Sequence, residues 1–382
     1  MTVYAGARTS YTDTTAQKRA IADYIDNINP TEAPLCKYLG IGEKGQGGQS
    51  KVKAFRIVNW PSTKVEWLED TLAPLATTLA ASATSGTTAV TIRNANYCRS
   101  GHLLLLTGAS GEYVLVTSVS SDSLTITRAW GGTQATHAAS GTVEIVSNAH
   151  VEGETSVAST TTDVSAPYNY TQIFEDQVKV TRTHSKVTQY GITGEYDYQT
   201  AKKFKEQVKL MEKTFFHGQR QEGAATTSRG MGGLKTFITD NTTAVGSVAL
   251  TEKQLLDSIQ SAWTDGGEPN LIVCNAWVKR KINSFYESPV RTTRKESRGG
   301  VVIDTIDTDF GSFEVMLNRW CPSTEMYILD TQYIGILPLD SFFEEELAKS
   351  GDYKLGHIVG EYSLVVRNDK AHALLTGIST TA

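Results

Sequence analysis

The abrupt change of composition near residue 74 constrains this chain more than any other feature. Across residues 71–150, 24 of 80 positions are Ser or Thr, and only six are Asp, Glu, Lys or Arg. Short β-branched or leucine-rich runs recur there at 89–92, 102–106, 113–117, 124–127 and 143–146. Turn material separates them: Ser85-Gly86, residues 108–111, Ser121-Asp122 and Gly131-Gly132. Several short strands at this spacing predict a small all-β barrel or sandwich of about 75 residues, enough to fold as a unit. The segments on either side read as two halves of one longer structure, so the β-rich stretch is an insertion.

The 382 residues leave room for two or three domains. A helical pattern over 16–28 (Ile21, Tyr24, Ile25, Ile28) stops at Asn29-Pro30. Pro30 and Pro34 then predict an extended or turned path. A glycine-rich stretch, Gly40 to Gly48, leads into a strand-like segment at 51–59. Further on, 170–189 is again strand-like. Glu195–His217 predicts a long amphipathic helix with Ala201, Phe204, Val208, Met211 and Phe215 inward. Lys202, Lys203, Lys205, Glu206, Lys209 and Glu212 mostly face away. A second helix, 251–263, opens with a Thr251/Gln254 capping box. A buried-type strand at 270–275 and a helix at 276–286 follow, then strands at 313–316, 326–329, 333–337 and 362–366. Elements in this order make an α+β fold, not an alternating βαβ array.

A search for chemistry finds none of the common signatures, although the members of a Ser-His-Asp triad can lie far apart in sequence. The Gly42–Gly48 stretch lacks the Lys-Ser/Thr of a phosphate loop and precedes a strand, so no helix N-terminus is offered to a phosphate. The seven histidines form no close ligand pair, and no G-x-S-x-G elbow marks a nucleophile. Cys36, Cys98, Cys274 and Cys321 are far apart, with neither zinc-knuckle spacing nor a disulfide framework, and suit a reducing compartment. No signal core and no apolar run of membrane-spanning length is present, so the reading is a soluble, cytosol-made protein without membrane contact. No catalytic, cofactor or metal site is expected.

What the sequence offers instead is contact surface. A net charge of −5 is wrong for a polycation built to coat nucleic acid. One basic stretch nonetheless holds Lys279, Arg280, Lys281, Arg291, Arg294, Lys295 and Arg298. It would meet phosphates or pair with the acidic run Asp340, Glu344, Glu345 and Glu346 of a neighbouring subunit, and pairing fits a nearly neutral chain better. Trp60 and Trp67, the latter beside Glu69 and Asp70, fall in the tip half of a two-stranded excursion. Tryptophans on an arm suit insertion into a partner, or packing on the inserted domain.

These parts, in this order, resemble the major capsid proteins of tailed bacteriophages with the Hong Kong 97-like fold, in the branch carrying a β-rich insertion. The resemblance lies in Asn29-Pro30-Thr31-Glu32-Ala33-Pro34-Leu35 with Leu39-Gly40-Ile41-Gly42, similar to an N-terminal "SPxETPFL…IG" pattern. It continues in Glu66-Trp67-Leu68-Glu69-Asp70-Thr71-Leu72-Ala73, in Asp309-Phe310-Gly311, and in Leu347-Ala348-Lys349-Ser350-Gly351-Asp352 with the run from Gly360 to Asn368. It implies an N-terminal arm (1–48), an extended loop (49–73 and 165–190), the inserted domain (74–150), a spine helix with peripheral domain (191–232), a mainly axial domain (233–360) and a C-terminal return to the peripheral domain (361–382). It also implies pentamers and hexamers in an icosahedral shell around double-stranded DNA. Portal, separate scaffolding and decoration proteins would be partners, with assembly in the host cytoplasm and a final place in the virion. Only about 15 residues precede the first helical pattern, so a separate scaffold, or none, is expected, and no covalent crosslink is inferred. A decoration or tail component, or an enzyme with an unrecognised site, is the alternative.

Overall fold

The computed structural model describes residues 32–40, 61–107, 111–153, 159, 161–189, 191–285, 294–295, 303–349 and 351–380. The helical pattern at 16–28, the strand-like run at 51–59 and most of the glycine-rich stretch lie outside the described residues. The chain divides into two units: Leu68–Pro167, and a body made of Met1–Trp67 with Tyr168–Ala382.

In the Leu68–Pro167 unit each of the five strand-like runs is a strand: Ala89–Thr91, His102–Leu106, Glu112–Ser120, Ser123–Thr127 and Thr142–Asn148. Ala76–Thr78 is a sixth. All neighbours pair antiparallel, from Ala76–Thr78 at one edge to Ala89–Thr91 at the other. The two edges then meet. Leu79 bridges Ile92, the Ala80 N–H donates to the Thr91 carbonyl at 2.9 Å, and Arg93 N–H donates to the Thr78 carbonyl at 2.9 Å. The unit is therefore a closed barrel, which removes exposed sheet edges. Alternation supplies its core: Leu104, Leu106, Val114, Val116, Leu124, Ile126 and Val143 point inward, while Tyr113 and Val146 point out.

The body is built on two sheets. The seven-stranded sheet runs Thr242–Val248, Ala373–Ile378, Met326–Leu329, Leu271–Cys274, Gly311–Leu317, Ile303–Thr308, Arg294–Lys295. Its central strands are apolar throughout because both faces are covered. Ile272, Cys274, Val315, Ile328 and Leu375 share a cluster with Leu255, Ile259, Val278 and Ile282 of helices Glu252–Thr264 and Ala276–Phe285. From the other face, Leu271, Val273, Met316, Tyr327 and Leu374 join the cluster of the long helix. The Thr251/Gln254 capping box is formed at the head of Glu252–Thr264.

The second sheet is antiparallel: Ile334–Glu346, Tyr353–Val366, Gln172–Thr181. On it lies helix Glu195–His217, with the predicted bounds, burying Val208, Met211, Phe215 and Phe216. Three local expectations change. Glu212, read as facing solvent, is fully buried, whereas Ala201 is exposed. The turned path at the prolines is a short helix, Pro34–Tyr38, because Pro34 sits at its first position, where no N–H is needed. The strand-like stretch after residue 170 ends at Thr181, where the Thr181 side chain caps the short helix Arg182–Lys186.

Candidate assembly surface

The acidic run occupies the end of an edge strand. Ile334–Glu346 pairs on one side only, with Glu344 opposite Ile358, Glu345 opposite His357 and Glu346 opposite Gly356. Two of its carboxylates are engaged within the subunit. Tyr196, in the first turn of the long helix, donates its hydroxyl to Glu344 Oε1 at 2.5 Å, and Lys354 Nζ stands 3.2 Å from Glu346 Oε2. Lys354 also lies 3.8 Å from the centre of the Tyr196 ring. Burial, then the Glu344 carboxylate, push the Tyr196 hydroxyl well above its ordinary range. Gly356 permits this close crossing, since a Cβ there would stand 1.9 Å from the Tyr196 oxygen. Asp340 and Glu345 remain exposed.

The basic residues belong to the other sheet. Lys279 and Arg280 lie on helix Ala276–Phe285, and Arg280 is exposed. Arg294 is in the two-residue edge strand paired with Ile303 and Asp304. Arg291 and Arg298 lie outside the described residues, as does Trp60. Among the described residues the acidic run lies on the three-stranded sheet and the basic residues lie with the seven-stranded one.

Trp67 departs from its expectation. It is 9% exposed and packs with Val65, Leu337 and Val365, its ring 5.7 Å from that of Phe237. Its apolar area is spent inside its own body, not on an arm tip or the inserted domain. The strand before it, Lys64–Glu66, pairs with Tyr168–Tyr170. That ladder is fixed by buried Asn169, whose Nδ2 donates to the Gly232 and Leu364 carbonyls at 3.2 and 2.7 Å. Glu69 and Asp70 belong to the Leu68–Pro167 unit. The Glu69 backbone exchanges two bonds of 2.9 Å with Ser165, and the Asp70 carboxylate accepts from Thr71 N–H at 2.9 Å.

Sequence reasoning missed the buried carboxylates, and two of them, Glu212 and Glu112, hold architecture. Glu212 accepts from Leu35 N–H at 2.8 Å, Cys36 N–H at 2.7 Å and Asn318 Nδ2 at 2.5 Å. It thereby satisfies the free N–H groups that begin helix Pro34–Tyr38. Burial pushes the Glu212 carboxyl above its ordinary value, and these donors oppose that shift. The only sequence signal was an acid four residues after Val208 and three before Phe215, on the flank of the apolar stripe.

In the barrel, Glu112 accepts from Arg128 Nε at 2.9 Å and from the N–H groups of Ala129 and Ala135 at 3.0 Å each. His137 Nε2 stands 3.2 Å away. Arg128 in turn donates to the Thr84, Thr87 and Ala135 carbonyls. Burial alone would raise the Glu112 carboxyl, yet Arg128 and the backbone donors bring it down to about 2. These are structural uses of charge. Among the described residues no group of three or more His, Cys, Asp or Glu could hold a metal, and no helix is long and apolar enough to cross a membrane.

The family model described as "SU10 major capsid protein" matches residues 8–379, almost the whole chain. The chain belongs to this major capsid protein family. As a member it is a structural protein of the virion capsid, with the Hong Kong 97-like fold and an inserted β-domain, and it is not an enzyme. It is similar to the major capsid protein of Escherichia phage Phieco32 at 24% identity, which covers 60% of this chain and 80% of that one. Among solved structures it is similar to a subunit of the cyanophage A-1(L) capsid asymmetric unit, with a TM-score of 0.55, 12% identity, and 97% and 100% of the two chains covered. It is also similar to a chain of the native GTA particle capsid, with a TM-score of 0.51, 8% identity, and 97% and 99% covered. At these identities the structural likenesses speak for the fold alone.

Proposed function

We propose that this chain is the repeating subunit of an icosahedral phage head, assembling as pentamers and hexamers around double-stranded DNA. The observation that carries this reading is the family match over residues 8–379, supported by a fold similar over nearly its whole length to a chain of a cyanophage capsid asymmetric unit. A closed shell multiplies many small contacts, so a subunit needs wide surfaces and a rigid frame more than a pocket. A 23-residue helix laid on a sheet, and a second sheet buried on both faces, suit that need.

In this reading Glu195–His217 is the spine helix and, with the three-stranded sheet, forms the peripheral domain. The seven-stranded sheet with its two helices is the axial domain, and the N-terminal arm and extended loop precede and follow the inserted barrel. Lys279 and Arg280 pair with Asp340 and Glu345 of a neighbour, because Glu344 and Glu346 already have partners at home. Portal and scaffolding proteins are its partners, and assembly takes place in the host cytoplasm.

Quantitative mass spectrometry of intact phage particles containing this chain tests the reading. A head subunit is the most abundant protein of DNA-filled heads and stays with them when tails are removed. A minor protein that leaves with the tail, or is stripped off without opening the head, would overturn it.

A further inference from the structure

We propose that the solvent-facing flank of the long helix carries a phosphate-contacting stripe, Lys202, Lys205, Lys209 and Lys213, that takes the backbone of duplex DNA. The inference rests on the reading of the chain as a head subunit and names the face that meets the nucleic acid. Steps of three, four and four residues keep these side chains on one flank, away from the buried Val208, Met211 and Phe215. Lys205 and Lys213 are exposed, and Lys202 and Lys209 partly so.

The other charges of the helix are already committed. Glu212 is buried on the Pro34–Tyr38 backbone. Glu206 is bound to Lys203, which also holds Asp176, each at 3.0 Å. Glu195 and Asp197 sit in the first turn, where the positive end of the helix favours them. Among the described residues none of the four stripe lysines has a carboxylate within ion-pair distance. The stripe therefore stands as a local concentration of positive charge on a chain whose net charge is −5.

Its surroundings favour nucleic acid over an acidic protein segment. The four lysines span about 16 Å of helix, over which a duplex presents roughly nine phosphates. No large apolar side chain of the helix itself stands between them to anchor a partner helix; the exposed Leu210 is on the adjoining flank. The aromatic neighbour is Trp320, whose ring lies 5.8 Å from Lys209 Nζ and 5.6 Å from Lys213 Nζ; Arg319 beside it is paired with Glu32 at 2.9 Å and adds no free charge. Recognition of this kind is independent of base sequence and falls steeply with salt.

The test is binding of a short fluorescent duplex of mixed sequence to the full chain, held below its assembly concentration, across a salt series. Changing all four lysines to Gln should flatten the slope of log affinity against log salt by up to about 3.6, close to 0.9 for each phosphate that a lysine no longer neutralises. Lys→Arg at the same positions should keep the slope, and circular dichroism melting checks that the Gln variant folds. An unchanged slope in the folded Gln variant would overturn the proposal. So would loss of the slope in a Lys279→Gln/Arg280→Gln variant alone, or poly-glutamate competing as well as DNA at equal charge. Because the readout needs no shell, its failure is distinct from failure of the head-subunit reading, which particle composition decides.

Discussion

The barrel and the body are each locked by a buried carboxylate, but the two draw their partners from different distances along the chain. In the barrel, Glu112 reaches partners 16 to 25 residues away, and Arg128 extends the lock to Thr84, 44 residues off. In the body, Glu212 holds groups 106 to 177 residues distant, and Asn169 reaches Leu364 across 195. A lock of short sequence range belongs to a unit that closes on itself. A lock of long range ties segments that come together only when the whole body has assembled, so loss of one should spread.

The largest effect that would break this comparison is in the barrel. Glu112→Ala leaves Arg128 buried without its carboxylate and should cost about 3 to 5 kcal/mol. Hydrogen exchange should then show the strands from Ala76 to Asn148 losing protection while the seven-stranded sheet keeps it. Equal loss in both would mean that the two units do not fold independently. Next comes Trp67→Ala, which should destabilise the body by about 3 kcal/mol through a cavity beside Phe237 and Leu337. A melt that is unchanged while particle yield collapses would restore Trp67 to an interface role.

Glu212→Ala should cost about 2 kcal/mol by leaving two helix N–H groups and the Asn318 amide without an acceptor. The sharpest readout is exchange at Leu35 and Cys36, which should become fast while the far end of the long helix stays protected. Protection that persists would deny Glu212 its clasping part. Acid makes the smallest perturbation and separates the two carboxylates by sign. The Glu112 carboxyl is depressed, so its contribution is present above about 4.5 and fades as pH falls toward about 2. The Glu212 carboxyl is raised by burial, so the neutral form is favoured in the fold and its contribution fades as pH rises. Acidification should therefore weaken the barrel before the clasp at Pro34–Tyr38, and the reverse order, read by exchange, would contradict both assignments.

The same contrast explains what was legible in the sequence. Barrel strands alternate along themselves, as at Leu104 and Leu106 or Val114 and Val116, and Gly or Ser-Asp turns mark their ends, so local pattern suffices. What the pattern left open, barrel or sandwich, depends on one bridge, from Leu79 to Ile92, that lies just beyond the ends of the two edge strands. In the body, the amphipathic stripe of Glu195–His217 and the capping box at Thr251 were visible for the same local reason. Glu212 was not, because the groups that donate to it lie near residue 35 and at Asn318. Nor was the continuation of Ile334–Glu346 through the acidic run, where bulges between Pro338 and Phe343 break the alternation. Trp67 was misplaced because the wall that receives it comes from Phe237, Leu337 and Val365, all remote in sequence.

The central claim, that this chain builds a shell, is tested most directly by sedimentation velocity of the purified full chain over a range of concentrations, with electron microscopy of any fast fraction, in the presence and absence of the co-expressed scaffolding proteins of the same phage. The account predicts concentration-dependent growth into capsomers or closed shells of uniform size in at least one of these arms. A single sharp monomer or dimer at every concentration in both arms would contradict it.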